Sequence, residues 1–332
     1  MITNDDFRKY FLGFNVLGCT VRNKDVFCFV AQEDYTQEPD WDDDEPEEEE
    51  LKKRLIIFIR TKPQGQQWSA AQLTGFNGIL IGFSPVPPKP QVIVAGVSGG
   101  IYATGSGESY MEEISDIYDN GPKRGAIIKL KTIGEHLYVC GNNRSVGRRD
   151  GKDRWFGHSN QIPEAETSIL EGFSDIDGFN ENDIYTIGGA GDVWHFNGKS
   201  WNQCAFKNEL MLTSICCAGD GNVYISGLGG NVFKGSGDNW KQIYEGEITI
   251  PFKDMVWYEE RVWCTSDYGI WTIKEDKLEE AIISSEVKIC AGNLSVRDGV
   301  LLIAGHGGAA FCQDGKWSII FNSMTMPEDG ND

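Results

Sequence analysis

An all-β fold made of one repeated four-stranded unit is predicted by two regularities in the sequence. Short apolar segments recur in the second half of the chain, and each ends in a small residue. These last residues, Gly188, Gly227, Ser266 and Gly305, are 39 residues apart each time. A fixed period of this length is typical of a repeat architecture.

The second regularity is a large apolar anchor, usually Trp, that extends the repeat over the whole chain. Its intervals in chain order are 42, 45, 46, 39, 38 and 39 residues. The anchors are Trp68, Tyr110, Trp155, Trp201, Trp240, Leu278 and Trp317. Seven anchors predict seven units.

Each unit resolves into four short strands separated by Asn, Asp and Gly turns. The fifth unit, for example, reads LTSICC, VYISG, NVFKG and WKQIY, rich in residues that favour strands. Four antiparallel strands repeated about every 40 residues are typical of a propeller blade. Because one blade cannot bury both its faces alone, we predict a closed ring, a seven-bladed β-propeller.

We expect this propeller to form a single domain over residues 1–322, followed by a flexible tail, 323–332. The predicted blades lie at about 12–74, 75–117, 123–164, 170–207, 210–247, 250–284 and 286–322. The last blade is complete at its C-terminal strand, WSIIF. We therefore expect no strand exchange with the N-terminus, or a short one from residues near Phe7–Phe11.

The repeats resemble those of bacterial β-propellers with degenerate G-x-[VI]-[WYF]…G-x-W motifs. The motif stands here as GDVWHFNGKSW, GNVFKGSGDNW and GAAFCQDGKW, and it covers the last four blades well and the first three loosely. No Trp-Asp dipeptide ends a strand. A kelch propeller ranks second, because Gly-Gly doublets occur but the kelch period is longer, about 50 residues. Among bacterial proteins of this kind, the resemblance suggests a toxin-immunity protein.

The composition restricts the partners that we expect. The formal net charge of −20 disfavours nucleic acids and anionic membranes, and it favours a basic partner. The nine cysteines form no CxxC pair, so we expect reduced thiols that serve as small core residues. No apolar signal segment or membrane-spanning run is present. These features predict a soluble cytoplasmic protein.

An acidic insert, residues 32–52, interrupts the first blade between its second and third strands. Residues 33–50 contain twelve Asp and Glu and no Lys or Arg. In most other blades this connection is a short glycine loop, and in a propeller such connections share one face. We predict that this face binds the partner through Tyr35, Asp40, Trp41, Asp42, Asp43, Asp44, Glu45, Glu47 and Glu48.

The sequence also allows two other interpretations of the insert. It could be a solubilising loop without a partner. It could also bind a divalent cation, although the DxDxDG spacing with a distal Glu is missing.

Several other clusters of charged residues could have either a structural or a functional role. The basic cluster Arg144, Arg148, Arg149, Lys152 and Arg154 is either a charged blade edge or a docking site for an acidic segment. A set of carboxylates could line the channel mouth or hydrogen-bond within strand ends: Asp116, Asp119, Asp175, Asp177 and Asp254. The four His residues show no ligand spacing, and we predict no metal, cofactor or catalytic site.

These observations favour a non-enzymatic, protein-binding propeller, in concrete form an immunity protein that neutralises a basic secreted toxin such as a nuclease. The alternatives are a sugar- or small-molecule-binding or enzymatic propeller with a site at the channel mouth, and a scaffold subunit of a larger complex.

Overall fold

Seven four-stranded antiparallel sheets, each built from four consecutive strands, form the ring of blades. The computed structural model describes residues 2–35, 46–85, 89–119, 121–165, 172–246 and 251–326. Each innermost strand contacts the innermost strand of the next blade, and the seventh contacts the first. The predicted seven-bladed β-propeller is therefore confirmed.

The strands take the same order in every blade, from the central channel outwards. The innermost strands are β1 (Phe14–Asn23), β5 (Leu80–Ser84), β9 (Ile127–Ile133), β13 (Phe173–Asn180), β17 (Leu212–Cys217), β21 (Asp254–Tyr258) and β25 (Asn293–Arg297). The second strands are β2 (Val26–Glu33), β6 (Gln91–Ala95), β10 (His136–Gly141), β14 (Asp183–Gly188), β18 (Val223–Gly227), β22 (Arg261–Ser266) and β26 (Val300–Gly305).

The two outer positions complete each blade. The third strands are β3 (Lys53–Ile59), β7 (Gly100–Gly105), β11 (Ser145–Gly151), β15 (Asp192–Phe196), β19 (Asn231–Ser236), β23 (Gly269–Lys274) and β27 (Gly308–Gln313). The outermost strands are β4 (Trp68–Leu73), β8 (Glu108–Glu113), β12 (Arg154–Gly157), β16 (Trp201–Gln203), β20 (Asn239–Tyr244), β24 (Lys277–Glu280) and β28 (Lys316–Asn322).

The seven periodic anchors all lie on outermost strands and pack into the apolar layers of the blades. Trp68 and Trp201 are buried, and the other five are partly buried against neighbouring core residues. The anchors therefore serve blade packing. The nine cysteines are free, and eight of them are buried, in agreement with their predicted role as core residues.

The ring closes through a short N-terminal helix that the sequence analysis did not predict. Helix α1 (Asn4–Tyr10) starts at Thr3, whose hydroxyl accepts a hydrogen bond from the Asp6 N–H. The Tyr10 hydroxyl donates to the Trp68 carbonyl at 3.1 Å, and the Phe11 and Phe321 ring centroids are 4.3 Å apart. The helix thus joins blade 1 to blade 7.

Among the described residues, one backbone hydrogen bond connects the N-terminus with the last strand, from Ile2 N to Ile320 O at 2.9 Å. In the described parts of the chain no blade takes a strand from the other end of the sequence. A second short helix, α2 (Ser285–Lys288), lies between blades 6 and 7.

Carboxylates on innermost strands connect successive blades at a spacing of 40 residues. The Asp175 side chain accepts from Ile215 N at 3.0 Å, and the Asp177 side chain accepts from Cys217 N at 2.9 Å. Two blades further along, Asp254 accepts from Leu294 N at 3.0 Å. Each carboxylate satisfies a backbone donor of the next blade, so these residues hold neighbouring blades in register.

The basic cluster also belongs to the scaffold. Arg149 and Glu112 form an ion pair of 2.7 Å between blades 3 and 2, and both side chains are fully buried. The Arg149 guanidinium donates further to Ser84, Gln91 and Tyr110. Burial would lower the pKa of Arg149, but the hydrogen bond and charge of Glu112 raise it overall.

The other members of the cluster have partners in or beside blade 3. Arg144 binds Asp192 of blade 4 at 2.6 Å, and Arg148 binds Asp150 at 2.7 Å. The Lys152 ammonium lies 4.5 Å from the Tyr110 ring centroid. The cluster is therefore engaged within the propeller, and the alternative of a docking site for an acidic segment is not favoured.

We expect Arg149→Met to lower the free energy of unfolding by about 3–5 kcal/mol, because it leaves the buried Glu112 carboxylate without its counter-ion. Arg148→Met is the matched control, with an expected loss of at most about 1 kcal/mol, because its partner Asp150 is partly exposed. Urea unfolding measures both. The double variant Arg149→Met, Glu112→Leu should recover stability; equal midpoints for the two single variants would contradict the role of the buried pair.

Candidate partner-binding face

One face of the ring carries the second-to-third-strand connection of every blade and the connections between blades. We call it the upper face, and the face with the two remaining turns of each blade the lower face. Hydrogen bonds tie the upper connections together. Val97 N donates to Asn77 O at 2.9 Å, Gly191 N to Leu210 O at 2.9 Å, and Ser323 N to Gly307 O at 3.0 Å. Neighbouring upper-face connections are thus hydrogen-bonded to one another at these three places in the described part of the chain.

The described ends of the acidic insert lie on this face. Its first two residues, 32 and 33, belong to β2, and its last one directly precedes β3. Glu33 N donates to Lys52 O at 2.8 Å, and the Lys52 ammonium binds the Glu33 carboxylate at 2.5 Å. The hydrogen bond of Lys52 lowers the pKa of Glu33. The two ends of the insert are therefore held side by side.

A buried lysine fixes the C-terminal end of the insert. The Lys53 side chain is fully buried, and its ammonium donates to the carbonyl oxygens of Glu48 and Leu51. Burial lowers the pKa of Lys53, and the charges of Glu48 and Glu49 oppose that shift. The Lys53 ammonium therefore binds the backbone of this turn and leaves the turn's carboxylates available for other contacts.

The predicted binding residues divide into two groups. Tyr35, Glu47 and Glu48 belong to the described base of the insert, where Tyr35 is exposed and Glu47 N donates to the Glu50 carboxylate at 3.2 Å. The others lie outside the described residues: Asp40, Trp41, Asp42, Asp43, Asp44 and Glu45. The structure therefore places the base of the predicted site on the upper face, and the binding role of all nine residues remains a prediction.

The central channel holds charged side chains that bind one another. Lys129 of blade 3 reaches Asp254 of blade 6 at 3.1 Å, and Lys131 lies 3.8 Å from Asp177. Burial alone would lower the pKa of Lys129, but Asp175 and Asp254 raise it overall. A cavity of about 330 Å³ is bordered by Lys129, Lys131, Asp177 and Asp254.

The two interpretations of the carboxylates near the inner strands can now be separated, and the structural one holds for three of them. Asp175, Asp177 and Asp254 are buried inside the ring, where they bind lysines and the next blade. Asp116 lies in a connection between blades 2 and 3 and pairs with Lys123 at 3.3 Å. Asp119 ends a single 3-10 turn in the same connection.

Exposed large apolar side chains also concentrate on the upper face. Among the described residues eleven such side chains are exposed, and seven of them lie in upper-face connections or just after β28. These seven are Tyr35, Tyr118, Met211, Leu228, Tyr268, Ile282 and Met324. The other four lie on strands. Of the seven upper-face residues, the sequence analysis identified only Tyr35. It missed Tyr268, although this residue stands where other blades have a glycine loop.

The described residues show no arrangement for metal chemistry. Within these ranges, no group of three or more His, Cys, Asp and Glu side chains could hold a metal ion. Burial raises the pKa of Cys28 and of Cys290 to about 12, which keeps these thiols protonated. None of the described helices has the length and apolar character needed to cross a membrane.

No family model matches this chain. The immune protein Tsi7 of Pseudomonas aeruginosa is 30% identical to it over 215 residues, which cover 64% of this chain and 70% of Tsi7. The chain belongs to the family of Tsi7. This relationship agrees with the toxin-immunity suggestion drawn from the repeats.

Solved structures that resemble the chain share its fold at low identity. The WD40 β-propeller domain of Doa1 superposes with a TM-score of 0.59 at 10% identity, covering 91% of this chain and 94% of that domain. YCF48 bound to D1 peptide gives 0.58 at 14% identity, with the same coverage. PorZ of Porphyromonas gingivalis gives 0.58 at 11% identity, covering 92% of this chain but 38% of PorZ.

We expect Lys53→Met to loosen the base of the insert, because two carbonyl oxygens lose their buried donor. The free energy of unfolding should fall by about 1–3 kcal/mol, and amide exchange should accelerate over residues 46–52. The matched control is Lys52→Met, which removes an exposed ion pair and should cost less than about 1 kcal/mol. Hydrogen exchange that is equally slow in both variants would contradict the anchoring role of Lys53.

Proposed function

We propose that this chain is an immunity protein that binds a toxin through the upper face and thereby neutralises it. The observation that carries the proposal is membership of the Tsi7 family, whose named member is an immune protein. The hydrogen bonds between described upper-face connections support it, because a surface that is already ordered loses little conformational entropy on binding.

The chemistry of the insert supports a basic partner. Twelve carboxylates within residues 33–50 are expected to attract cationic surfaces over a distance of about 10 Å at ordinary ionic strength. A nuclease is the toxin class that fits best, because a surface that binds polyanionic nucleic acid is basic. The insert would then occupy the region that normally binds the nucleic acid.

Free thiols support a reducing compartment, the cytoplasm. All nine cysteines are unpaired, whereas proteins of oxidising compartments commonly form disulfides. We propose no catalytic role, no nucleic-acid partner and no membrane partner for the chain itself.

A channel-mouth site for a sugar or small molecule, with or without catalysis, is less well supported. Such a site needs polar groups that are free to bind the ligand, but Asp175, Asp177 and Asp254 already bind lysines and backbone N–H groups. A scaffold subunit differs from an immunity protein in the number of partners, and the expression test below separates the two.

The immunity role is tested by expressing the genes that neighbour this one in its source genome, singly and together with this chain. We expect one neighbour to arrest growth and this chain to restore it. If no neighbour is toxic, or if the toxic one remains toxic in the presence of this chain, the proposed function is wrong. A scaffold subunit would copurify with several partners and rescue no growth.

The electrostatic contribution is tested with the toxin so identified, carrying an inactivating substitution. Neutralising Asp40→Asn, Asp42→Asn, Asp43→Asn, Asp44→Asn and Glu45→Gln together should slow association by about tenfold or more at roughly 50 mM NaCl and by little at roughly 500 mM. Stopped-flow mixing measures the rate constants.

The matched control removes the same charge from exposed carboxylates of the lower face: Glu135→Gln, Glu259→Gln, Glu260→Gln, Asp298→Asn and Asp314→Asn. This variant should associate at nearly the wild-type rate. Equal slowing in both variants would mean that total charge matters and that the insert has no special role.

A further inference from the structure

Five exposed apolar side chains are distributed over the upper-face connections from the start of blade 5 to the end of blade 7, and we call this set the apolar arc. The arc runs from the junction of blades 4 and 5, through blade 6, to the end of blade 7. Its members are Met211, Leu228, Tyr268, Ile282 and Met324. Blade 7 adjoins blade 1, so the arc leads towards the base of the acidic insert.

These side chains are strongly exposed. Ile282 is 100% exposed, Tyr268 81% and Met324 79%. Single exposed apolar residues are ordinary, but here they share one face, and the lower-face turns that the structure describes carry no comparable side chain. This asymmetry indicates a surface that another molecule covers.

The backbone that carries the arc is well fixed. Leu228 N donates to Met211 O at 2.9 Å, which brings two arc residues together. Ala281 N, next to Ile282, donates to Ile270 O at 2.9 Å, and Ser323 N, next to Met324, donates to Gly307 O. A surface held in this way is already organised for binding.

Charges of both signs lie beside the arc, and two of the lysines are paired with carboxylates, whereas Lys207 and Glu209 are exposed in the connection that carries Met211. Lys253 pairs with Asp267, next to Tyr268, at 2.9 Å, and Lys288 pairs with Glu280 at 2.5 Å. With the insert on the adjoining blade, the upper face presents apolar groups beside an excess of carboxylates. Its complement is a protein surface with apolar side chains next to a basic region.

We propose that the apolar arc is the short-range docking surface for the toxin, and that the insert guides the toxin's basic region into place beside it. This inference rests on the proposed function and assigns it a second contact surface. A second copy of this chain fits the arc less well, because two facing upper faces would bring two inserts of like charge together.

The division of roles has a kinetic consequence. Charge attraction acts mainly on the rate of association, whereas buried aromatic and aliphatic contacts act mainly on dissociation. Loss of the arc should therefore accelerate dissociation to the same extent at low and at high salt.

The test compares Tyr268→Ser, Ile282→Ser with a control double variant, Met111→Ser, Phe156→Ser. The control removes two apolar side chains that are 58% and 54% exposed on outermost strands. The probe is the inactivated toxin found by growth rescue, and surface-bound kinetics give both rate constants. We expect the arc variant to raise Kd by about tenfold or more through faster dissociation, and the control to stay near wild type.

Three other outcomes would contradict the proposal for the arc or the proposed function. If wild type binds the toxin and the arc variant binds equally well, the arc is not the docking surface, although the immunity role stands. If wild type does not bind the toxin, the proposed function fails together with the arc. If wild type is a dimer in sedimentation and the arc variant a monomer, the arc is a self-association surface and the proposal is wrong.

Discussion

Closure of the ring is the constraint on which the other features of this protein depend. A four-stranded blade has two apolar faces, and only neighbours on both sides can bury them. The carboxylates of Asp175, Asp177 and Asp254 hold successive blades together, and the buried pair of Arg149 and Glu112 joins blades 2 and 3. Helix α1 completes the last junction. A closed ring in turn gathers all upper connections onto one surface.

The ring creates two kinds of position, on strands and in connections, and we assign stability to the first and function to the second. Strand positions face other blades and are occupied by core residues, periodic anchors and buried ion pairs. The second-to-third-strand connections contribute little to the core and can vary, so an insert of 21 residues, 32–52, is accommodated between β2 and β3. The Lys53 ammonium and the pairing of Glu33 with Lys52 keep its ends on the ring.

The sequence was sufficient for the parts of the structure that repeat. The recurring strands and anchors predicted the seven-bladed fold, and the anchors such as Trp201 and Trp317 were assigned to packing. It was insufficient where contacts between blades determine the environment of a residue: Arg149 is predicted in a basic cluster at a blade edge, and for Asp175 the sequence leaves the channel mouth and a structural role both open. Both are buried because the ring brings a neighbouring blade against them. The 40-residue spacing between Asp175 and Ile215 follows the repeat, but only the structure shows that it spans a hydrogen bond.

The apolar arc escaped sequence analysis for a similar reason, since its members lie in different connections and no short motif contains them. The central claim is that the toxin covers the upper face, with the insert at one side. Hydrogen exchange of the complex against the free chain tests this most directly. We predict slower exchange in the upper connections, including residues 46–52 and 267–268, and unchanged exchange in the lower turns. Protection confined to the lower turns or to the outermost strands would contradict it.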